Sequence, residues 1–395
     1  MRRDLERIFR AGVEACLPER VLPPFLPEAP PDGRTLLFAV GKAAGTMAKV
    51  AESRLARQVI GCAVVPHGTG AGLERVELFH AGHPVPDEAS VAAGEHLIAL
   101  AQSADRGDLV LVLLSGGASA LAALPGPGLT LGEKQGLVAA LLRSGASIGE
   151  ITCVRRHLSR IKGGRLALAA APAQILTLAL SDVVGNAPET IGSGPTIPDP
   201  SSMADAKAIL ARYGLEAPRR GWSESPDIPS TPFRIVADNR TAIRAATREA
   251  ERLGYRVRSL GECEGEARDA GARHAEIALE SPPGTLLLSG GELTVTVTGP
   301  GRGGPNHEYA LAAAIRLAGR DDIAGLAADS DGVDGASLAA GAYFDGGSVA
   351  RSQRDAAAAL AGNDSAAFFA ALDDQLVTGP TGTNVNDLRI ILVGS

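Results

Sequence analysis

The sequence predicts an α/β protein built on a largely parallel sheet, and three observations carry that reading. Apolar runs of strand length alternate with stretches of helix length. Glycine-rich polar turns close the apolar runs repeatedly. Aromatic residues make up only 3% of the 395 residues, so the core must be built from Ala, Leu, Val and Ile. Strands covered by helices on both faces read as continuous apolar runs, which is the pattern seen here.

Taken in order, residues 4–17 read as an amphipathic helix ended by Pro18, with a proline-rich loop reaching Asp32-Gly33. Leu36–Val40 is a buried strand, followed by Gly41-Lys42-Ala43-Ala44-Gly45 and a helix to about Arg57. Val59–Val65 is the next strand, and a helix over 88–103 precedes the strand Leu109–Leu114. Helices over 130–144 and 151–171 lead to the strand Ile175–Leu180, which stops at Ser181-Asp182. From Glu216 to Pro232 the pattern breaks into Pro, Ser, Arg and Trp222, which reads as a surface loop or a hinge. Phe233–Ala237 resumes as a strand and Ala242–Leu253 as a helix. A second α/β region starts near Thr285, with strands at 285–289, 293–298, 323–328 and 388–393.

A chain of this length asks for two domains. The first is expected over 1–232, with the strand and helix to about 280 as an extension, and the second, smaller one over 285–395. A net charge of −7 argues against a nucleic-acid partner. No apolar run is long enough to span a bilayer, and the opening Met1-Arg2-Arg3-Asp4 lacks the apolar core of a signal peptide. Cys16, Cys62, Cys153 and Cys263 are too scattered for a zinc ribbon or a disulfide framework, so a cytoplasmic location is expected. A homodimer is an assembly the sequence leaves open.

The chemistry is expected in the turns. An apolar strand runs into a glycine-rich or polar turn at Gly41-Lys42, Ser115-Gly116-Gly117, Ser181-Asp182, Ala237-Asp238-Asn239, Ser289-Gly290-Gly291-Glu292 and Asp329-Ser330-Asp331-Gly332. In open α/β sheets ligands bind beyond the carboxyl ends of strands, where glycine lets backbone N–H groups approach an anion. Lys42 could hold a phosphate or a carboxylate there, or be a solvated lysine on a turn. Ser115-Gly116-Gly117 reads either as a phosphate cradle or as a tight turn with a capping serine. Asp182, Glu189, Glu292, Asp329, Asp331 and Asp334 are candidate bases or Mg²⁺ ligands, or else caps and surface charges. Asp329 to Gly335 resembles the opening of a calcium loop, but Ala340 stands where the closing glutamate belongs. Gly299-Pro300-Gly301-Arg302-Gly303-Gly304 matches the GxGxxG of dinucleotide sites, which makes a nicotinamide-dependent (NAD(P)H) dehydrogenase the alternative reading. Pro300 and Pro305 stiffen that turn, and Asp321 and Asp322 fall before the next strand, where a ribose acid does not belong. No P-loop motif is present.

An ordered series of segments carries a resemblance. They are Gly41–Ala44, His80-Ala81-Gly82-His83-Pro84-Val85-Pro86-Asp87, Leu114–Leu121, Arg156–Gly164, Ser181–Asn186, Ile191–Thr196, Ser289–Glu292, Gly303-Gly304-Pro305-Asn306-His307-Glu308, Asp329–Gly335 and Thr381–Leu388. Together they resemble the class II glycerate 2-kinase family, which carries a C-terminal region called MOFRL. The resemblance implies a Rossmann-like first domain, a smaller α/β second domain with the active site in the cleft between them, and conversion of D-glycerate and ATP to 2-phosphoglycerate and ADP. Members of the family have often been labelled hydroxypyruvate reductase. The family's functional lysine matches Lys42, its SGG turn matches Ser115, Gly116 and Gly117, and its acidic strand ends match Asp182 and Asp329. Many members have arginine where this chain has Pro305, so Arg302 is the replacement expected to face phosphate.

On this reading Lys42 and Arg302 offset charge on the transferring phosphoryl group, and Asp182 takes the proton of the 2-hydroxyl or binds Mg²⁺. Asp329 and Asp331 are further metal or nucleotide contacts. Substrate or phosphate contacts are expected from Arg156, Arg160, Asn239, Glu292, Asn306, Glu308 and Asn384, with Arg155, Arg156 or Arg160 facing the glycerate carboxylate.

Overall fold

The computed structural model describes residues 1–28, 33–55 and 59–394. The proline-rich stretch before Gly33 and the expected helix end near Arg57 lie largely outside the described residues. Contacts divide the chain into two units, one from Pro18 to Val236 and one combining Met1–Leu17 with the chain from Ala237 onward.

The Pro18–Val236 unit holds β1 (Thr35–Val40), β2 (Val59–Pro66), β3 (Glu77–Ala81), β4 (Leu109–Leu114), β5 (Gln174–Leu180) and β6 (Phe233–Ala237). They form one sheet in the order β3-β2-β1-β4-β5-β6. Pairing runs parallel from β3 through β5. This is the strand order of the doubly wound dinucleotide fold, so the expected Rossmann-like architecture is present. β1 and β4 are buried along their whole length, which is why both read as unbroken apolar runs. The first is followed by the helix Ala44–Arg54 and the second by the short helix Ala118–Leu121. Leu36, Phe38, Val112 and Leu114 pack with Leu97, Leu121 and Leu166 in the core of this unit.

The second unit holds β7 (Arg256–Glu262), β8 (Thr285–Gly291), β9 (Ile323–Asp329), β10 (Gly341–Asp345), β11 (Gln375–Leu376) and β12 (Asp387–Val393), in the order β11-β10-β9-β12-β8-β7. β7 and β8 are parallel, and β12 runs antiparallel to both β8 and β9. The amino end of β12 therefore lies beside the carboxyl ends of β8 and β9, with Asp387 opposite Gly291 and Asp329.

Four expectations are corrected. Residues 293–298 alternate like a strand but do not form one, because both edges of β8 are already occupied by β7 and β12. Thr294 makes a single bridge to Glu266, and Thr296 bonds that residue's carboxylate. The helix expected over 151–171 is two helices, Ile148–His157 and Arg165–Ala170, because Gly163 and Gly164 turn left-handed and donate to the carbonyls of Ser193 and Gly194. The first helix, Arg2–Glu14, belongs with the unit that begins at Ala237, and so do the strand and helix up to residue 280. Tyr255 donates to Asp4 at 2.7 Å, Tyr343 to Glu6 at 3.1 Å, and Thr383 to the Cys16 carbonyl at 2.7 Å. Finally, the irregular 216–232 segment is anchored within its own unit. Trp222 packs beside Leu129 and Ile151 and donates to Pro218, while Arg165 bonds Ser223 and Glu224.

One buried charge in the first unit has a measurable consequence. Lys134 is 5% exposed, and its ammonium donates to the Leu158 carbonyl at 2.9 Å. Desolvation, with Arg155 and Arg165 nearby, pulls its pKa down to about 7. Between that value and the ordinary ~10.4 the unfolded chain binds a proton that the folded chain does not. The cost of burying this lysine is thus complete below pH 7 and is relieved as pH rises. Lys134→Met is expected to raise the urea midpoint at pH 7 and to flatten its climb between pH 7 and 10. An unchanged climb would show that Lys134 is charged in the folded protein across that range.

No helix among the described residues is long and apolar enough to cross a membrane.

Candidate active site

The order of the first sheet reverses between β1 and β4, which makes this the topological switch point where doubly wound folds place their ligands. Two of the predicted turns meet there. The Ser115 amide donates to Val40 at 3.1 Å, the Lys42 amide donates to Gly116 at 2.8 Å, and the Ser115 hydroxyl accepts from the Ala43 amide at 3.0 Å. The Ser115 hydroxyl therefore acts as an acceptor at the start of the Ala44–Arg54 helix, while its O–H is a further donor. Gly117 adopts φ +84°, and a side chain there would meet His83 Cδ2 at 2.8 Å and Lys42 Cγ at 3.4 Å. The Lys42 stem thus lies directly over the glycine turn. Asp182 stands two residues past β5, the next strand in the sheet, in a turn shaped by Ser181, whose hydroxyl accepts the Val183 amide at 3.2 Å. Lys42, the Ser115–Gly117 turn and Asp182 therefore sit beyond the carboxyl ends of three successive strands.

A brace beneath this edge was not legible in the sequence. Lys162 is fully buried and donates to the carbonyls of Ser119 at 2.9 Å and Ala122 at 3.2 Å, at the end of the Ala118–Leu121 helix. Burial pushes its pKa well down. The Ser119 and Ser193 hydroxyls are 2.6 Å apart, tying the same helix to the Ile191–Ser193 turn.

The structure moves the arginines to other tasks. Arg156 is buried and bound to Asp199 at 2.9 Å, the Glu189 carbonyl at 3.0 Å and Ser201 at 3.0 Å, so it braces the fold. Arg160 is exposed in a groove with Glu88 and Glu95.

In the second unit the predicted residues gather at one end of its sheet, yet several are structural. Asn239 is buried, with its amide on the Val385 and Asp387 carbonyls and its oxygen on the Gly291 amide. Asn306 donates to Asp387 at 2.6 Å and to Asp334 at 3.2 Å. Glu308 is paired with Arg268 at 2.8 Å and Asn363 at 3.1 Å. Asn384 is 3% exposed, with its oxygen accepting from the Asn386 amide. All four make hydrogen bonds within the protein, Asn239, Asn306 and Glu308 to residues distant in sequence. Asp387, quoted in the Thr381–Leu388 segment without a role, and Arg389, outside every motif, complete the cluster at 2.7 Å, and Arg389 also donates to the Gly290 and Gly291 carbonyls. Desolvation raises the Asp387 pKa against the pull of Arg389. Glu292 and Arg302 are exposed, and Asp329 is partly exposed at the end of β9. The Asp329 carboxylate accepts from the Asp331 amide at 2.9 Å, and that of Asp331 accepts from Val333 at 2.8 Å.

The glycine motif at 299–304 has a different use from the one its pattern suggests. No strand precedes it. Side chains at Gly299 and Gly301 would strike the Gly362 carbonyl at 2.4 and 2.5 Å, so these glycines admit the chain's own backbone. The helix that follows, Pro305–Arg316, already has a carboxylate at its N-terminus: Asp334 accepts from the Asn306 amide at 3.0 Å and the His307 amide at 2.9 Å. A pyrophosphate would have to displace that carboxylate.

Among the described residues no three His, Cys, Asp or Glu side chains are placed to hold a metal ion. Mg²⁺ carried on nucleotide phosphates needs only one or two carboxylates, so Asp182, or Asp329 with Asp331, fit that lesser requirement.

Fold and turns together define a doubly wound α/β protein in which two glycine-containing turns meet at the switch point. The comparisons with known proteins identify the family. Residues 4–221 match a domain of unknown function, DUF4147, and residues 285–387 match the MOFRL family. A D-glycerate 2-kinase of Thermotoga maritima is 39% identical, covering 98% of this chain and 97% of the relative. A glycerate kinase structure from that organism superposes with a TM-score of 0.86 at 38% identity, covering 98% of each chain. An Agrobacterium vitis protein, provisionally named hydroxypyruvate reductase, is 42% identical over 100% of this chain and 94% of its own length. The chain belongs to the class II glycerate kinase family.

Proposed function

We propose that this chain phosphorylates D-glycerate at its 2-hydroxyl, using ATP and giving 2-phosphoglycerate and ADP. The observation that carries the reading is full-length identity of 38–39% to glycerate 2-kinases, with the Lys42 and Ser115–Gly117 turns meeting at the switch point. The 2-hydroxyl oxygen attacks the γ-phosphorus, the bond to the β-phosphate oxygen breaks, and ADP leaves. Asp182 receives the hydroxyl proton or binds the divalent cation. Lys42 offsets charge on the equatorial oxygens, as phosphoryl transfer depends on positioning and charge more than on covalent help. Mg²⁺, held by Asp182 or by Asp329 and Asp331, would supply further charge neutralisation. In the second unit Arg302 is the candidate to offset phosphoryl charge, and Glu292 a candidate substrate or phosphate contact. The chain's four cysteines stand unpaired, which suits a reducing cytoplasm.

The reductase reading loses its main support, because Gly299 and Gly301 pack against Gly362, Gly303 against Ser365 and Gly304 against Asp334. The turn after β1, where a doubly wound fold carries its dinucleotide fingerprint, reads Gly41-Lys42-Ala43-Ala44-Gly45 and lacks the second glycine of GxG. Side-by-side assays decide between the readings. ADP release from D-glycerate, ATP and Mg²⁺ is expected, with no oxidation of NADH or NADPH by hydroxypyruvate; the reverse pattern would overturn the kinase reading.

A further inference from the structure

The motif His80–Asp87 has no role in the mechanism above, yet the fold delivers one of its side chains to the switch point. His83 lies in the loop that follows β3, and its Cδ2–Nε2 edge covers Gly117. A methyl group on Gly117 would approach those atoms to 2.8 and 3.0 Å, and Lys42 Cγ to 3.4 Å. An imidazole edge and a lysine stem therefore flank one glycine Cα. The loop that holds the imidazole there is tightly organised. Asp87 Oδ1 accepts from the Gly82 amide at 3.0 Å and from the Ser90 amide at 2.9 Å, and Oδ2 lies 2.6 Å from His67 Nε2. Although desolvation opposes it, the hydrogen bonds from His67, Ser90 and Gly82 hold the Asp87 carboxyl well below the usual range, so it stays an acceptor. Gln135 fastens the far side of the loop through the Pro86 carbonyl at 2.6 Å.

Resting on the kinase reading, we propose that His83 is a substrate-contact residue: an oxyanion seated on the Ser115–Gly117 turn is held between Lys42 and the Nε2 of His83. The oxyanion is either the carboxylate of the hydroxy acid or the phosphoryl group in transfer. Both present the same acceptor chemistry to an N–H donor. A glycine is needed at 117 because a side chain would collide with the His83 ring at 2.8 Å and would be strained at φ +84°.

The test uses His83→Ala and His83→Gln in the full chain, since a glutamine amide can place an N–H near the position of Nε2. The alanine variant is expected to raise KM about tenfold or more for one substrate, with the thermal midpoint unchanged and partial recovery in the glutamine variant. A rise for D-glycerate assigns the oxyanion to the carboxylate, and a rise for ATP assigns it to the phosphoryl group. Unchanged constants for both substrates, or a lowered midpoint with unchanged KM values, would overturn the proposal. A wild-type protein without turnover would sink the kinase reading separately. His83 would then be judged by thermal stabilisation with D-glycerate and with ATP, each alone. A shift present in wild type and lost in His83→Ala supports the contact, and shifts equal in both proteins, or absent from both, contradict it.

Discussion

Asparagine at position 182 is expected to lower kcat for D-glycerate phosphorylation by about 10²–10⁴-fold with the fold intact. The substitution keeps size and shape and removes the negative charge, and the residue is partly exposed in its turn. The backbone of that turn is shaped by the Ser181 hydroxyl, so a change at the neighbouring carboxylate leaves it in place. Varying Mg²⁺ and pH separates the two roles open to Asp182. A metal ligand predicts a raised requirement for the cation in the variant. A proton acceptor predicts an unchanged cation requirement and loss of the acidic limb of the pH–kcat profile. Near-normal turnover would remove Asp182 from the site.

Lys42→Ala is expected to cost about 10²–10³-fold in kcat, the scale seen when one preorganised donor to developing charge is lost. Its backbone amide keeps its bond to Gly116 in any variant, so the effect reports on the side chain. Lys42→Arg should not restore full activity. A guanidinium is larger and planar, and the lysine stem already passes within contact distance of the Gly117 position. Circular dichroism and the thermal midpoint confirm folding in both variants. A folded Lys42→Ala protein with near-normal turnover would show that the ammonium does not act on the reacting groups.

The fold was legible where burial made it so. β1, β4, β8 and β12 are buried along their whole length, and each announced itself as an apolar run. β3 and β7 lie at the edges of their sheets, with residues such as Glu77, Arg256 and Arg258 exposed, and they carry no such signal. The helix Ala267–Leu279 has no clear bounds in the sequence because, His274 apart, its buried face is made of Ala267, Ala270, Gly271, Ala275 and Ala278, small residues that give weak periodicity. In the candidate site, the turns at Lys42 and Ser115–Gly117 could be read because strand, glycine and charge are adjacent in sequence. His83 and Lys162 could not, since their roles arise from contacts made only on folding. The internal hydrogen bonds of Arg156, Asn239, Asn306 and Glu308 are hidden in the sequence for a related reason. A polar residue beside a glycine motif looks the same in sequence whether it grips a ligand or the protein's own backbone.

The most direct test of the central claim couples product formation to enolase with no mutase present. D-glycerate, ATP and Mg²⁺ are supplied, and phosphoenolpyruvate is followed. Immediate signal, at the rate of ADP release, is the predicted result and places the phosphate on the 2-hydroxyl. ADP release that yields phosphoenolpyruvate only after a phosphoglycerate mutase is added would contradict it, because the phosphate would then be on the 3-hydroxyl.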